Sequence, residues 1–222
     1  FFQAEDGIRA SSTSRGLGDV YKRQSLFLAP GILMMVTIQN SFANTSTSIL
    51  VSKVNGNIVD TLMPSLSSLE LSLGFMIGGV LRGLFVATGV LVVIFPFLSL
   101  FPVNFFALYF YITMGSITFS LMCILVGVFC KKFDQMSAVN NFFIAPLSFL
   151  SGTFYSVSKL PGPFDVISFF NPVFWLMDGV RFGALGEAES NIFLGCLGIM
   201  SVNLILFLTV WKWFSVGYFL KD

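Results

Sequence analysis

Long apolar segments separated by short polar breaks make up most of this chain. An α-helix needs about 20 apolar residues to cross the hydrocarbon core of a bilayer. No acidic or basic residue occurs over the 48 residues from Gly83 to Cys130, which is too long for one helix, and Pro96, Pro102 and Asn104 mark a break within it. The pattern predicts an all-α polytopic membrane bundle with five spans, approximately at residues 26–43, 69–97, 105–130, 138–157 and 191–214.

The segment between the first two spans is more polar than the spans themselves. Its apolar residues recur every four positions, at Leu50, Val54, Ile58 and Leu62. Polar residues fill much of the other side, among them Lys53, Asn55, Asn57, Asp60 and Thr61. This spacing is typical of an amphipathic helix lying at the cytoplasmic membrane surface, and Pro64 would end it. An interfacial loop without a partner is the alternative.

The second span is predicted to begin at a capping box. Ser67 precedes Glu70 by three residues, so each side chain can bond the backbone amide of the other. Two glycine pairs with four-residue spacing follow, Gly74-x-x-x-Gly78 and Gly79-x-x-x-Gly83. Small residues at this spacing let membrane helices approach closely. Incidental glycines in a membrane helix are the alternative.

Arg82 is predicted to lie deep in the second span, roughly 20 Å along the helix from its cap. An arginine at such depth is costly unless it is paired or hydrated. We therefore expect it to face the bundle interior or a water-filled cavity. Pairing with backbone carbonyls, a role in a transport path and extension of the side chain toward an interface all remain open.

The segment 158–190 is predicted to lie outside the cell, with Lys53 and the Lys131–Lys132 pair in the cytoplasm, because basic residues concentrate on the cytoplasmic side. Its phenylalanines and tryptophan suit the headgroup zone. Asp178 and Arg181, three residues apart, can pair on one helix face. Short helices dipping into the outer leaflet are expected, with an ordinary loop as the alternative.

Composition narrows the class of protein further. Hydrophobic residues make up 55% of the 222 residues, charged residues only 10%, and the mean hydropathy is +0.87. With a net charge of +1, these values exclude a soluble globular domain, a disordered tail and a nucleic-acid-binding module. The chain has no histidine, and its three cysteines form no C-x-x-C motif, so we expect no catalytic residue and no metal site.

Residues 1–24 are expected to lie outside the protein's own sequence. The first residue is phenylalanine, and this polar stretch joins the apolar run without a linker. The strings QAEDGIR and SRGLGDVYKRQ resemble the translation of two adjoining sequencing adapters, with one departure at Ala10. A genuine cytoplasmic tail is the alternative. The domain boundary is therefore expected at residue 25.

Several blocks in the remaining chain, 25–222, resemble the membrane subunit of ABC type-2 exporters, the permeases that work with a separate ATPase. The order and spacing of these blocks carry the resemblance more than any single one. The blocks are LAPGILMM at 28–35, NIVDTLMP at 57–64, RGLFV at 82–86, FD at 133–134, PLSFLSGTFYS at 146–156 and NPVFWLMDG at 171–179, followed by Arg181 and Gly186.

The resemblance implies a six-span subunit, so the first span would be missing here. It further implies that residues 45–64 hold the coupling helix, with Asn57, Ile58, Asp60 and Thr61 as the ATPase-coupling residues. The implied partners are an ABC ATPase, a second copy of the permease and the lipid bilayer, but no nucleic acid. No cofactor is expected on this chain, since ATP-Mg would bind the partner. The expected function is export of a lipid-linked or saccharide-type substrate or a drug across the bacterial inner membrane.

An ion-coupled secondary transporter and an intramembrane enzyme are the two alternatives to an exporter. An ion-coupled secondary transporter predicts broken helices and intramembrane carboxylates, but the predicted spans hold no Asp or Glu beyond Glu70 at a cap. The sequence also lacks the groups that an intramembrane enzyme would need, since it has no histidine, no metal cluster and no paired intramembrane carboxylates. The chain has no phosphate-loop motif, so any ATPase activity is expected to reside in a separate subunit.

Overall fold

The computed structural model describes residues 2–54, 67–98, 101–130, 132–154 and 171–216, with side chains in the first helix described from Gln24 to Ser52. Every regular element among these residues is helical. A π-helical turn, Asn140–Ile144, separates the fourth and fifth helices. The helices are α1 Phe2–Val54, α2 Ser68–Leu98, α3 Phe105–Phe129, α4 Phe133–Val139, α5 Ala145–Leu150, α6 Pro172–Leu185 and α7 Ile192–Ser215.

Four segments in the described part are long and apolar enough to cross a membrane. They are Gln24–Ser52, Ser68–Leu98, Phe105–Gly127 and Ile192–Ser215. These four correspond to the first, second, third and fifth predicted spans. The chain is therefore an all-α polytopic membrane bundle, as predicted. The proposed boundary at residue 25 stays a prediction, because α1 runs through it and the side chains of residues 2–23 are outside the described part.

The fourth predicted span differs from the other four because it is not one regular helix. Its described part consists of α4, the π-helical turn and α5, and its expected end at residue 157 lies outside the described residues. Pro146 accounts for the irregularity, because proline has no backbone N–H to donate and its ring collides with the preceding turn of an α-helix. The wider π turn places the amide of Ala145 on the carbonyl of Asn140, five residues back.

The predicted starts of two spans are confirmed by their caps. The amide of Ser67 donates to Glu70 Oε2 over 2.7 Å, and the amide of Glu70 donates to the Ser67 hydroxyl over 3.3 Å. Asn104 caps α3 by accepting from the amide of Ala107 over 3.1 Å. Side-chain acceptors at these positions satisfy backbone donors that a helix start leaves free.

The first span extends farther than predicted. Helix α1 continues past residue 43 to Val54, and Leu50 is fully buried against the bundle. The polar residues in this stretch do not end the helix because they bond its own carbonyls. The Thr45 hydroxyl, for example, donates to the carbonyl of Ser41 over 3.2 Å. The rest of the predicted amphipathic helix, 55–64, lies outside the described residues.

Helices α1, α2 and α3 pack closely where α2 carries its second glycine pair. A Cβ atom at Gly79 would collide with the hydroxyls of Thr45 and Ser120, and one at Gly83 with those of Ser41 and Ser116. The predicted close approach therefore holds for this pair. The first pair, Gly74-x-x-x-Gly78, faces open space: a Cβ would meet nothing at Gly74 and only the Asn44 amide nitrogen, 3.8 Å away, at Gly78.

Helix α6 is inserted into the end of the bundle where α2 ends and α3 begins. The amide of Asn104 donates to the carbonyl of Gly183 over 2.9 Å. A Cβ at Gly183 would lie 2.5 Å from the backbone nitrogen of Leu108, and one at Gly179 would strike the Tyr111 ring. Leu176 reaches the level of Gly115, roughly 15 Å along α3 from its start. The described part of segment 158–190 thus contains a short helix, as expected, and its position in the outer leaflet stays a prediction.

Candidate functional site

Asp178 on α6 is buried, with 1% of its surface exposed. Its carboxylate accepts hydrogen bonds from the backbone amides of Glu189, over 2.8 Å, and Ser190, over 2.9 Å. The hydroxyl of Ser190 donates to the same carboxylate. Burying a carboxylate is tolerable only when its oxygens are hydrogen-bonded. Asp178 therefore fixes the loop that leads from α6 into α7.

Arg181 on the same helix is also buried, with 4% of its surface exposed. Its Nη2 donates to the carbonyl of Gly152 over 2.8 Å, and its Nη1 lies 3.7 Å from Glu189 Oε1. The guanidinium carbon stands 3.9 Å from the centre of the Phe27 ring. Burial lowers the pKa of Arg181 from its ordinary value, while the charges of Glu189 and Asp178 act in the opposite direction.

The predicted direct pair between Asp178 and Arg181 is not formed. Each side chain bonds a different part of the chain, and Glu189 joins them, since its amide contacts Asp178 and its carboxylate contacts Arg181. The reason is competition: backbone donors and acceptors lie closer to each charge than the charges lie to each other. The two residues remain in one cluster, which fastens α6 to α1, to the turn after α5 and to the loop before α7.

Arg82 on α2 contacts α1. Its Nη1 donates to Asn44 Oδ1 over 3.2 Å. The side chain is otherwise exposed, and among the described residues it forms no ion pair. Arg82 therefore lies on an exposed flank rather than in the bundle interior, while a water-filled cavity beside it stays a prediction. Its role in transport stays a proposal.

A groove of about 270 Å³ lies beside this contact, between α1 and α2. Gly74 and Gly78 form its floor on α2, and Asn44 and Ser48 line it on α1. Asn44 thus touches both the groove and Arg82. The remaining lining residues are Glu70, Leu71 and Phe75.

The predicted ATPase-coupling residues, Asn57, Ile58, Asp60 and Thr61, lie outside the described residues. Their flanks are described: Val54 ends α1 and Ser67 caps α2. The candidate coupling segment therefore joins two helices that pack against each other in the bundle. No group of three potential metal ligands among His, Cys, Asp and Glu is assembled in the described part of the chain.

A buried polar contact in the bundle centre was not predicted. The Thr118 hydroxyl on α3 donates to Asn203 Oδ1 on α7 over 2.7 Å, and Asn203 Nδ2 donates to the carbonyl of Met114 over 3.2 Å. Asn203 is the one amide side chain within the fifth predicted span after its first residue, which is the signal that could have identified it. The pair Gly179-x-x-x-Gly183 was equally visible as a packing motif.

Membrane-length helices joined by buried polar contacts define a multi-pass membrane protein. Residues 8–185 match the model of the ABC-2 type transporter family. The chain belongs to this family. It is 36% identical over 201 residues to the inner membrane transport permease YadH of Escherichia coli K12, an alignment that covers 88% of this chain and 77% of that protein. The permease of the same name in Shigella flexneri matches equally.

These matches place the chain among multi-pass inner-membrane transport permeases. Membership of the ABC-2 family also implies association with an ABC ATPase. The resemblance to the membrane subunit of ABC type-2 transporters is thereby confirmed at the level of the family. Substrate, direction of transport and subunit number are taken up as proposals below.

Proposed function

We propose that the chain is the permease subunit of an ATP-driven exporter in the bacterial inner membrane. Two copies of the permease would assemble with two ATPase subunits, which bind ATP-Mg. The cargo class is a lipid-linked or saccharide-type molecule or a drug. This chain supplies the path across the membrane and receives the movement of the ATPase.

The close packing of α1, α2 and α3 is the observation that carries this proposal. Gly79 and Gly83 leave no room for a Cβ atom between the three helices, so α1 and α2 move as one body with α3. The segment between Val54 and Ser67 connects α1 to α2 directly. A displacement of that segment by an ATPase would therefore tilt the packed unit instead of bending a single helix.

The charged cluster on α6 extends this movement to the opposite end of the bundle. Arg181 connects α6 to Phe27 near the start of the first span and to Gly152 after α5. When α1 tilts, α6 would follow, and the opening between two permease copies would change at that end. Asn57, Asp60 and Thr61 are the proposed contacts with the ATPase, and Ile58 would hold the coupling helix against the spans.

Ion-coupled secondary transport gains no support from the described carboxylates. Asp178 is buried, and its carboxylate accepts three hydrogen bonds from residues 189–190. Glu70 is engaged in the cap of α2. Both carboxylates are thus held in contacts that join parts of the fold.

The energy source provides the test. The chain is expressed together with an ABC ATPase subunit, and inside-out vesicles are incubated with a panel of fluorescent amphiphiles. We expect uptake that requires ATP, survives collapse of the proton gradient by an ionophore, and disappears when the phosphate-loop lysine of the ATPase is replaced by alanine. Uptake that follows the proton gradient and ignores ATP would overturn the proposal.

A further inference from the structure

Arg82 lies at the centre of a helix that crosses the membrane. It stands 14 residues after the first residue of α2 and 16 before the last, roughly 20 Å from each end. The side chain is nevertheless exposed on the flank of the bundle. A guanidinium facing lipid tails at this depth is unfavourable, so this flank faces water or a polar molecule during part of the transport cycle.

Arg82 makes few hydrogen bonds within the described part of the chain. A guanidinium carries five N–H donors, and the structure shows one bond there, from Nη1 to Asn44 Oδ1. Arg181 shows what a structural arginine in this fold looks like: it is buried, ion-paired, stacked on an aromatic ring and bonded to a backbone carbonyl. Among the described residues Arg82 shows none of these four features, because its one partner is a side-chain amide oxygen.

The groove beside Arg82 suits the apolar part of an amphiphile. Gly78 is one helical turn from Arg82, and Gly74 one turn farther, so no side chain on this face of α2 obstructs the floor. Leu71 and Phe75 add apolar lining, while Asn44 and Ser48 form the wall on α1. Glycines alone would not specify a ligand. Arg82 is bonded to Asn44, which lines the groove together with Glu70, and this cation adds the specificity.

We propose that Arg82, positioned by Asn44, binds the anionic group of an amphiphilic cargo, a phosphate or a carboxylate. Planar guanidinium forks bind such groups through two parallel hydrogen bonds. The negative charge would offset the cost of a cation at mid-depth, and the groove would take adjoining apolar atoms. This inference rests on the proposed export function and narrows its cargo to anionic amphiphiles.

The depth of Arg82 favours cargo over a resident lipid as the source of the anion. Headgroup phosphates lie at the interface, about 15 Å from the midplane of a bilayer core that is about 30 Å thick. A resident lipid would reach basic residues near the membrane surface, such as the exposed Lys212 in the last turn of α7. Only a molecule crossing the bilayer brings its anionic group to the level of Arg82.

The test compares two probes with the same twelve-carbon chain, dodecyl phosphate and zwitterionic dodecylphosphocholine. Binding to the purified chain in phosphatidylcholine nanodiscs is measured without any ATPase or ATP. We expect tighter binding of dodecyl phosphate by the unchanged chain. Arg82→Gln, which keeps a donor for Asn44, should weaken dodecyl phosphate binding about tenfold and leave dodecylphosphocholine unchanged. Arg82→Lys should retain a preference for the phosphate.

Lys212→Gln is the matched control, since it removes one exposed cation from the same bundle at the membrane surface. We expect it to leave both affinities unchanged. Size-exclusion profiles and unfolding temperatures establish that each variant is folded. Nanodiscs made of phosphatidylglycerol form the second arm, and there the Arg82-dependent part of dodecyl phosphate binding should persist.

Three outcomes would overturn the inference. Arg82→Gln could bind dodecyl phosphate as the unchanged chain does. Lys212→Gln could cause the same loss, which would indicate a general surface charge effect. Phosphatidylglycerol could abolish the Arg82-dependent binding, which would make the groove a site for resident lipid. Because no ATPase takes part, none of these results bears on ATP-driven export, and a failure of export would leave them standing.

Discussion

The guanidinium of Arg181 on α6 packs on the ring of Phe27 on α1, 3.9 Å from the ring centre. This contact joins a short helix that enters the bundle from one end to the first membrane-length helix. It matters for function because α6 has no other charged connection to α1 among the described residues. The proposed transmission of movement from α1 to α6 therefore depends on the contact between Arg181 and Phe27.

Loss of the Arg181 head group should be strongly destabilising. In Arg181→Met the apolar stem is kept, while Glu189 and the carbonyl of Gly152 lose their buried partner. Breaking a buried pair from one side costs about 3–5 kcal/mol, so thermal unfolding in detergent should shift to a clearly lower temperature. Phe27→Leu removes only the ring contact and should cost about 1 kcal/mol. Equal stability of Arg181→Met and the unchanged chain would refute the role of the cluster.

The glycine contact between α6 and α3 gives a second prediction. In Gly183→Ala the new Cβ would stand 2.5 Å from the backbone nitrogen of Leu108, so α6 must move away from α3. We expect a loss of roughly 1–3 kcal/mol, the usual cost of overpacking. Gly198→Ala is the control, because nothing lies within 4 Å of a Cβ there. Its unfolding temperature should be unchanged or slightly raised, and a loss equal to that of Gly183→Ala would argue against a packing effect.

The polar contact between α3 and α7 should contribute modestly to stability. Asn203→Leu leaves the Thr118 hydroxyl and the carbonyl of Met114 without their interhelical partner. Hydrogen bonds between membrane helices are worth about 0.6 kcal/mol on average and up to about 1.7 kcal/mol. A small decrease in unfolding temperature is expected. Ser201→Ala, which removes only a bond to the carbonyl of Leu197 in its own helix, should behave like the unchanged chain.

Features that depend on one local rule could be predicted from the sequence. The cap at Ser67 and Glu70 and the break before Asn104 follow from residue types at short spacing, and both are present. The length of helix α1 could not be predicted in the same way. The polar run after Ser41 looks like the end of a span, but its hydroxyls bond the carbonyls of the same helix and α1 continues.

Features that depend on which helix faces which could not be predicted. Of two equally spaced glycine pairs on α2, Gly79 and Gly83 lie so close to α1 and α3 that a Cβ would collide, whereas Gly74 and Gly78 leave room for one. Asp178 and Arg181 have the spacing of a helical ion pair but bind backbone groups brought in by distant segments. In uniformly apolar spans, the sequence carries no signal for these orientations.

Co-purification of the permease with its ATPase measures whether the ATPase attaches to the segment between α1 and α2. Asp60→Arg is compared with Glu187→Arg, the same charge reversal in the exposed loop after α6. A coupling helix supplies only a small part of a standard interface of about 800 Å² per partner. One charge reversal should therefore strongly weaken the contact between this helix and the ATPase. Both variants are expected to insert in the membrane. Glu187→Arg should retain the ATPase, whereas Asp60→Arg should lose the ATPase and export together. Full retention of ATPase by Asp60→Arg, or loss of insertion with ATPase binding intact, would contradict attachment at this segment.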